Sequence, residues 1–416
     1  MALKINLHCN IHQSLSKNRI MFKRLSQEFQ TPFYCYDQTI IDNKINFLNN
    51  LKLNFNHNFS FAIKANPNLA IINLFKQKDI GAVVVSSGEL YKALRSGIKP
   101  NKIMLNGSSK NNFDLKYAIT QKISSINIEN IEELHLINNY SKEKGLITNI
   151  GIRINPGVDA KTLSKITTGK SGGKFGIEID QIDFGMIKKL NHINLKTLSV
   201  HIGSQITEYK KLIESYQSII SLADQLNEQG FEIRYLDFGG GFAVLDNGNQ
   251  GLDFDLWSSE LNAIMNHKNY EVIFEPGRFL IADSGYLVSK VNFLKKSGNK
   301  NIALLDSSMS EYIRCALYGI EPIIELIESD QKSEKIRYDI GGGVCESSDF
   351  FIRDVLLPKL KVGDIIIFKN VGAYGSSMSS TYNSRPRPLE VLFFKDEHRV
   401  IRSRDTLEDL CKNEIM

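Results

Sequence analysis

The chain has 416 residues, of which 42% are hydrophobic and 23% charged, and its formal net charge is +5. This is a globular composition at a length expected for about two domains, and a small basic excess without blocks of like charge, zinc-finger or RNA-binding patterns excludes nucleic acid as an expected partner. Five cysteines, Cys9, Cys35, Cys315, Cys345 and Cys411, form no CxxC pair, so neither a metal site nor a disulfide framework is expected and a reducing, cytoplasmic setting is.

The amino-terminal MALKINLHCNIHQSL lacks the apolar core of a secretory signal, and no run approaches the roughly 18 apolar residues of a membrane span, so no membrane contact is expected. Residues 1–36 read as irregular until TPFYCYD, where Phe33 to Tyr36 look like a strand. Residues 38–53 place Ile41, Ile45 and Leu48 at helical spacing. Strands and helices then alternate. Apolar runs bounded by turn residues predict strands over 59–64, 81–85, 102–106, 124–128, 149–154, 197–202, 233–238 and 271–275. Amphipathic spacing predicts helices over 69–78, 89–96, 113–120, 131–144, 209–228 and 254–265. Eight strand–helix units over about 220 residues fit a (β/α)8 barrel. A doubly wound open sheet is the competing arrangement, but no GxGxxG opens the first unit.

After residue 290 the pattern becomes strand-like, at 302–306, 336–340, 364–368 and 389–394, with glycine-rich turns between. The expected fold is therefore α/β. A (β/α)8 barrel spans 37–289, and a second, mostly β C-terminal domain, 1–36 plus 290–416, also takes the N-terminal strand.

In such a barrel the C-terminal strand ends face one common site. Lys64 closes the first strand, in FSFAIKANPN. Its ordinary reading is a lysine reaching solvent; its chemical reading is an amine that forms a Schiff base with a carbonyl compound. Arg153 ends the fifth strand, as a structural ion-pair partner or a cofactor contact. His201 ends the sixth, in VHIGS, with Ser204 beyond it; a flat ring there suits either structure or stacking on a flat cofactor. Gly239, Gly240 and Gly241 follow the seventh, in LDFGGGF. Such a run is either a tight turn or a backbone that lets an anion approach. Glu275, Gly277 and Arg278 close the eighth, in FEPGR. Glu275 is read as a paired structural carboxylate or as the partner of a pyridine nitrogen. A second glycine run, Gly341–Gly343, reads as a turn before Cys345, whose thiol is either inert or an acid beside a carbanion.

FAIKANPN, SSGEL, RINPGVDA, KFGI, HIGSQI, LDFGGGF, EPGR, IRCALYG, VCESSDF and GAYGSSMSSTYNSRPRP together resemble the diaminopimelate decarboxylases, members of the alanine-racemase-like, fold-type III pyridoxal-phosphate decarboxylases. The likeness runs in order from about residue 33 to 390. It implies decarboxylation of meso-2,6-diaminopimelate to L-lysine and CO2, the last step of lysine biosynthesis. Pyridoxal 5'-phosphate would be carried on Lys64 as an aldimine. The resemblance places His201 on the ring face and Glu275 at the pyridine nitrogen. Ser204, Gly239, Gly240, Gly241, Gly277, Arg278 and Tyr374 would surround the phosphate. Arg278, Arg314, Tyr318, Glu346 and Tyr374 would touch the substrate, the arginines suiting its carboxylates. Cys345 would return the proton. Cys345 and Glu346 would come from a partner subunit, making the active unit a homodimer.

Two positions depart from that pattern. Val83 stands where the family carries an aspartate, which implies a missing polar contact near the cofactor. Gly343 stands where it carries proline, which implies a looser Cys345 loop. Rival expectations are a same-fold decarboxylase of ornithine, arginine or carboxynorspermidine, and a pyridoxal-phosphate-binding protein without catalysis.

Overall fold

The computed structural model describes residues 7–160, 168, 172–244, 251–328 and 333–416, with side chains from Asn18 onward. The chain forms two compact units, Asp42–Ile281 and Met1–Ile41 with Ala282–Met416. The first strand, β1 (Phe33–Asp37), belongs to the second of these.

In Asp42–Ile281, eight parallel strands close a barrel in chain order. They are β2 (His57–Ala62), β3 (Gly81–Val84), β4 (Ile103–Leu105), β5 (Ser125–Ile128), β6 (Thr148–Ile154), β7 (Ile193–Val200), β8 (Tyr235–Asp237) and β9 (Glu271–Phe274). Closure is made by β2 on β9, with Phe59 opposite Phe274. Every strand expected from the apolar runs is present, displaced by a residue or a few at its ends. Helices follow the strands, and several start on a side-chain oxygen that satisfies an orphan N–H. Asn68 accepts from Ala70, Ser86 from Glu89, Asn130 from Glu133 and Asp253 from Leu256, while Asn111 and Asp114 make a reciprocal capping box.

The barrel interior is layered. Val83, Met104 and Ile273 form a buried apolar layer with Tyr235 packed on it. A step of two residues along a strand returns to the same face, one layer further on. That step leads from Met104 to Asn106, from Tyr235 to Asp237 and from Ile273 to Glu275, so the interior turns polar toward the strand C-termini. Asn127 of β5 reaches into this polar layer, donating to Asp237 Oδ2 at 3.2 Å and accepting from Ser125 Oγ at 3.0 Å. Its side chain occupies the space over Gly151 of β6, where any Cβ would overlap Asn127 Oδ1.

In the other unit, β1 lies between β10 (Gly285–Ser297), antiparallel, and a later strand, parallel. The remaining strands are β11 (Lys300–Leu305), β12 (Ile324–Leu326), β13 (Lys335–Gly341), β14 (Phe350–Pro358), β15 (Ile365–Phe368), β16 (Leu389–Phe394) and β17 (Glu397–Arg402). The sheet runs β14-β13-β11-β10-β1-β16-β17, with β15 pairing β10 and β12. The expected N-terminal strand and second, mostly β domain are thus present.

Two expectations change. Residues 7–28 are an α-helix, not irregular chain. Met21, Phe22 and Leu25 pack it against Phe33, Cys35, Tyr286, Val288, Val391 and Phe393, so a short apolar stripe finds its partner only in the assembled sheet. The thirteen-residue β10 also runs across position 290, where no strand was expected. Its second half carries Lys295 and Lys296 on an exposed stretch, which hides the strand in an apolar-run reading.

Gly151→Ala is expected to lower stability by about 1–3 kcal/mol, the range for an overpacked interior. Urea unfolding followed by circular dichroism measures it; a midpoint equal to wild type refutes the close approach of Asn127.

Candidate active site at the barrel mouth

Lys64 lies just past the first barrel strand, not on it. The strand ends at Ala62, whose N–H turns to Pro276 O, and Lys64 sits in a 3-10 turn, Ile63–Ala65. Asn66 is extended (φ −156°, ψ 102°), as the residue before Pro67 must be. The turn leaves Lys64 exposed, while Ile63 and Ala65 are buried. Among the described residues its amine makes no hydrogen bond or salt bridge. Its charge acts on His201 and on Glu89, the acid that stands near it. Burial raises the Glu89 pKa, opposed by the Val85 N–H, which donates to Oε2 at 3.0 Å, and by Lys64. Val83 packs in the apolar barrel layer with Met104 and Ile273.

His201 follows the last residue of β7 and is only partly exposed. Burial, then the Arg153 and Lys64 cations, holds its pKa well below the ordinary histidine range. Gly240 N–H donates to His201 Nδ1 at 3.2 Å, so the neutral ring carries its hydrogen on Nε2. Arg153 is tied down by Glu129, with Nη1 to Oε1 at 3.0 Å, and Nη2 donates to the His201 carbonyl at 3.3 Å. The Phe175 ring lies 5.0 Å from its guanidinium carbon.

The glycine loop is tight because other backbone passes it. A Cβ on Gly239 would press on Val200 O and His201 Nδ1, one on Gly240 on Glu275 O, and one on Gly241 on Gly203 O. Gly239 and Gly241 also have φ of +62° and +94°, which favour glycine. Two of the three N–H groups serve the protein itself: Gly239 donates to Asp237 Oδ1 at 2.9 Å and Gly240 to His201. Among the described residues, the N–H groups of Gly241 and Gly277 have no protein acceptor. Near them, Arg278 Nε donates to Ser204 Oγ at 3.2 Å. This cluster presents two amides, a hydroxyl and a cation, the chemistry of a phosphate cradle.

Glu275 follows β9 and accepts from Asn106 Nδ2 at Oε1, 2.7 Å. It also meets the carboxyl of Asp237.

The remaining expected residues lie in the β-rich unit. Arg314 and Tyr318 stand one helical turn apart on Arg314–Tyr318, with the guanidinium 5.8 Å from the ring centre. Arg314 Nε is buried without a hydrogen bond. Tyr374 has φ +58°, unusual for a side-chain-bearing residue. Cys345 and Glu346 are exposed neighbours on the turn after Gly343. That turn is not loose. Buried Asp349 accepts from Val344 N–H at 3.0 Å and Met309 N–H at 2.7 Å, and its carbonyl accepts from Gly342 N–H. The Cys345 N–H donates to Asn383 Oδ1 at 2.8 Å. A carboxylate and an amide do the work that a proline ring would otherwise do.

Comparison with known proteins agrees with this geometry. Residues 38–282 match the family model described as pyridoxal-dependent decarboxylase, pyridoxal binding domain. The diaminopimelate decarboxylase of Helicobacter pylori is 37% identical over 401 residues, covering 94% of this chain and 98% of that protein. The one from Haemophilus influenzae is 34% identical, covering 96% and 97%. The crystal structure of the Helicobacter pylori enzyme complexed with L-lysine aligns with a TM-score of 0.90 at 36% identity, covering 94% of this chain and 99% of that chain.

The chain belongs to the diaminopimelate decarboxylase family of pyridoxal-dependent decarboxylases.

The residues at the barrel mouth fit the family's cofactor. The amides of Gly241 and Gly277 suit a phosphate, the neutral ring of His201 suits a flat heterocycle, and the Lys64 amine suits an aldehyde. Asn106 Oδ1, buried without a partner, adds an unmet acceptor to the same place. Four residues escaped the sequence reading: Asn106, Glu129, Asn127 and Asp237. Asn106, Glu129 and Asp237 stand at or just beyond the ends of β4, β5 and β8, so the strand-end rule extended to all eight strands finds them. Asn127 lies one step inside β5, and only the Gly151 gap reveals its reach.

His201 takes up protons less readily in the folded state than in the unfolded one. Its contribution to stability is therefore full above about pH 6.5, the free histidine value, and is lost as pH falls below it. The apoprotein is expected to lose stability from about pH 6.5 downward, and His201→Gln to lose less. Denaturant midpoints across pH check this, and parallel profiles for both proteins refute it.

Proposed function

We propose that this protein decarboxylates meso-2,6-diaminopimelate to L-lysine and CO2 in lysine biosynthesis, using pyridoxal 5'-phosphate. The observation that carries the reading is the gathering of Lys64, His201, Glu275 and the Gly241–Gly277–Ser204–Arg278 cluster at one end of a barrel that aligns along nearly its whole length with diaminopimelate decarboxylases. The bound cofactor supplies an electron-withdrawing ring for the electron pair left when CO2 departs.

The chain's own residues do the rest. Lys64 holds the cofactor through its amine, and its lack of a competing partner among the described residues supports this. His201, neutral and fixed by Gly240 and by the Arg153–Glu129 pair, packs on the ring. Glu275 holds a proton on the pyridine nitrogen. Gly239, Gly240, Gly241, Gly277, Ser204, Arg278 and Tyr374 are assigned to the phosphate. The internal bonds of Gly239 and Gly240 give those two a shaping role, leaving Gly241 and Gly277 as donors.

Arg278, Arg314, Tyr318, Glu346 and Tyr374 are assigned to the substrate. Two arginines suit a substrate with two carboxylates. The bond to the carboxylate breaks, the electron pair stays behind, and Cys345 Sγ–H returns a proton to that carbon. The exposure of Cys345 and Glu346 on a clamped turn supports their delivery to a second copy of the chain, so the working unit is a homodimer. Free thiols at Cys35, Cys315, Cys345 and Cys411 support a cytoplasmic setting. Among the described residues no helix is long and apolar enough to cross a membrane.

The purified protein is expected to release CO2 from meso-diaminopimelate far faster than from ornithine, which a CO2-release assay decides. Lys64→Ala should lose both the absorbance of lysine-bound cofactor and the activity; full turnover in that variant removes the mechanism. Cys345→Ala should keep the cofactor absorbance and slow turnover about 100-fold, within the range for a lost general acid. Loss of cofactor from that variant reassigns Cys345 to structure.

A further inference from the structure

Behind Glu275 the barrel contains a second carboxyl, Asp237, the last residue of β8. It is fully buried. Register places it opposite Ser199 of β7 and Ile273 of β9, two residues before Glu275. Its hydrogen-bond donors are all neutral. Gly239 N–H donates to Oδ1 at 2.9 Å, Asn127 Nδ2 donates to Oδ2 at 3.2 Å, and the Ser199 hydroxyl adds a third bond. The titratable groups that face it are Glu275 and the buried phenol of Tyr216. Among the described residues no cation hydrogen-bonds or ion-pairs with it, while Arg153 and Lys64 act on His201.

Two carboxyls in hydrogen-bond contact need a proton between them, because an ionised carboxylate only accepts. With only neutral donors on Asp237, two negative charges side by side in a buried place repel each other, and one group keeps its proton. The deeper one is Asp237. Glu275 is partly exposed and has Asn106 to stabilise its anion. Burial and the nearby Glu275 charge both raise the Asp237 pKa well above the usual carboxylate range.

We infer that Asp237 is a positioning residue that donates its carboxyl proton to Glu275, so that the pair holds one proton on the inner carboxyl and one negative charge on the outer one. This rests on Glu275 facing the pyridine nitrogen. The division matters because an ionised Glu275 accepts a hydrogen bond and keeps that nitrogen protonated, whereas a protonated Glu275 would donate to it and leave it neutral. Asn127, held over Gly151, and the Gly239 amide fix Asp237 in the orientation that lets it serve Glu275 from below.

The test uses Asp237→Asn, which still donates but cannot ionise, Asp237→Ala, which cannot donate, and Glu275→Gln. The first measurement is infrared spectroscopy of the apoprotein at neutral pH. Wild type should show the carbonyl band of a buried protonated carboxylic acid, and Asp237→Asn should lack it. A wild-type spectrum without a band that this substitution removes overturns the inference, whatever Asp237→Ala does to folding.

The second measurement binds pyridoxal 5'-phosphate labelled with 15N in the ring and reads the nitrogen chemical shift. Wild type and Asp237→Asn should show a protonated nitrogen. Asp237→Ala should move toward the unprotonated value and bind the cofactor about tenfold more weakly, with Asp237→Asn within about threefold of wild type. A protonated nitrogen in Asp237→Ala, or an Asp237→Asn that behaves like Asp237→Ala, overturns the role of Asp237. Glu275→Gln separates the two readings. If it keeps a protonated nitrogen, the placement of Glu275 itself fails. If it loses the proton while Asp237→Ala keeps it, only the inference fails.

Discussion

Pairing of β2 with β9 is the constraint on which the rest of the barrel depends. It joins the first and last strands of the barrel, so the turn carrying Lys64 and the segment carrying Glu275, Gly277 and Arg278 become neighbours. The two ends are locked beyond the sheet as well. Ala62 N–H bonds to Pro276 O, and Gly277 is small because Ala62 and Ala65 press against it. Parallel hydrogen bonding also sets every strand in one direction, which is why chemistry written at eight strand ends arrives at a single mouth.

The mouth is built as a chain of dependencies in which few groups act alone. Glu129 fixes Arg153, Arg153 holds the His201 carbonyl, and Gly240 holds the His201 ring. Gly239 and Asn127 hold Asp237, and Asp237 meets Glu275, which Asn106 also holds. The glycines are part of this system. Their lost side chains let Val200, His201, Glu275 and Gly203 approach, and the amides so exposed are partly spent on His201 and Asp237. Buried polar networks of this kind are rigid when satisfied.

Much of this was legible in the residues. The eight barrel strands, their helices, the β-rich second part and the strand-end address of Lys64, His201, Glu275 and Arg278 follow from apolar runs, helical spacing and turn residues. The N-terminal helix was not legible, because its stripe of Met21, Phe22 and Leu25 is short and most of its partners lie far along the chain, on β10 and β16. The firmness of the Cys345 turn is hidden from the local sequence for a related reason. A glycine in place of proline reads as slack locally, yet Asp349 and Asn383, from other stretches, clamp the turn through side-chain acceptors.

Local pattern alone decided which segments are strands or helices, where the chain turns, and which residues could do Schiff-base, acid–base or anion chemistry, because those depend on neighbours within a few positions. Tertiary structure decided the protonation and orientation of those groups. That His201 is neutral, that Lys64 stands without a partner among the described residues, and that Asp237 shares a proton with Glu275 depend on burial and on charges brought from other strands. Electrostatic state is a property of the surroundings in space, and no residue type carries it alone.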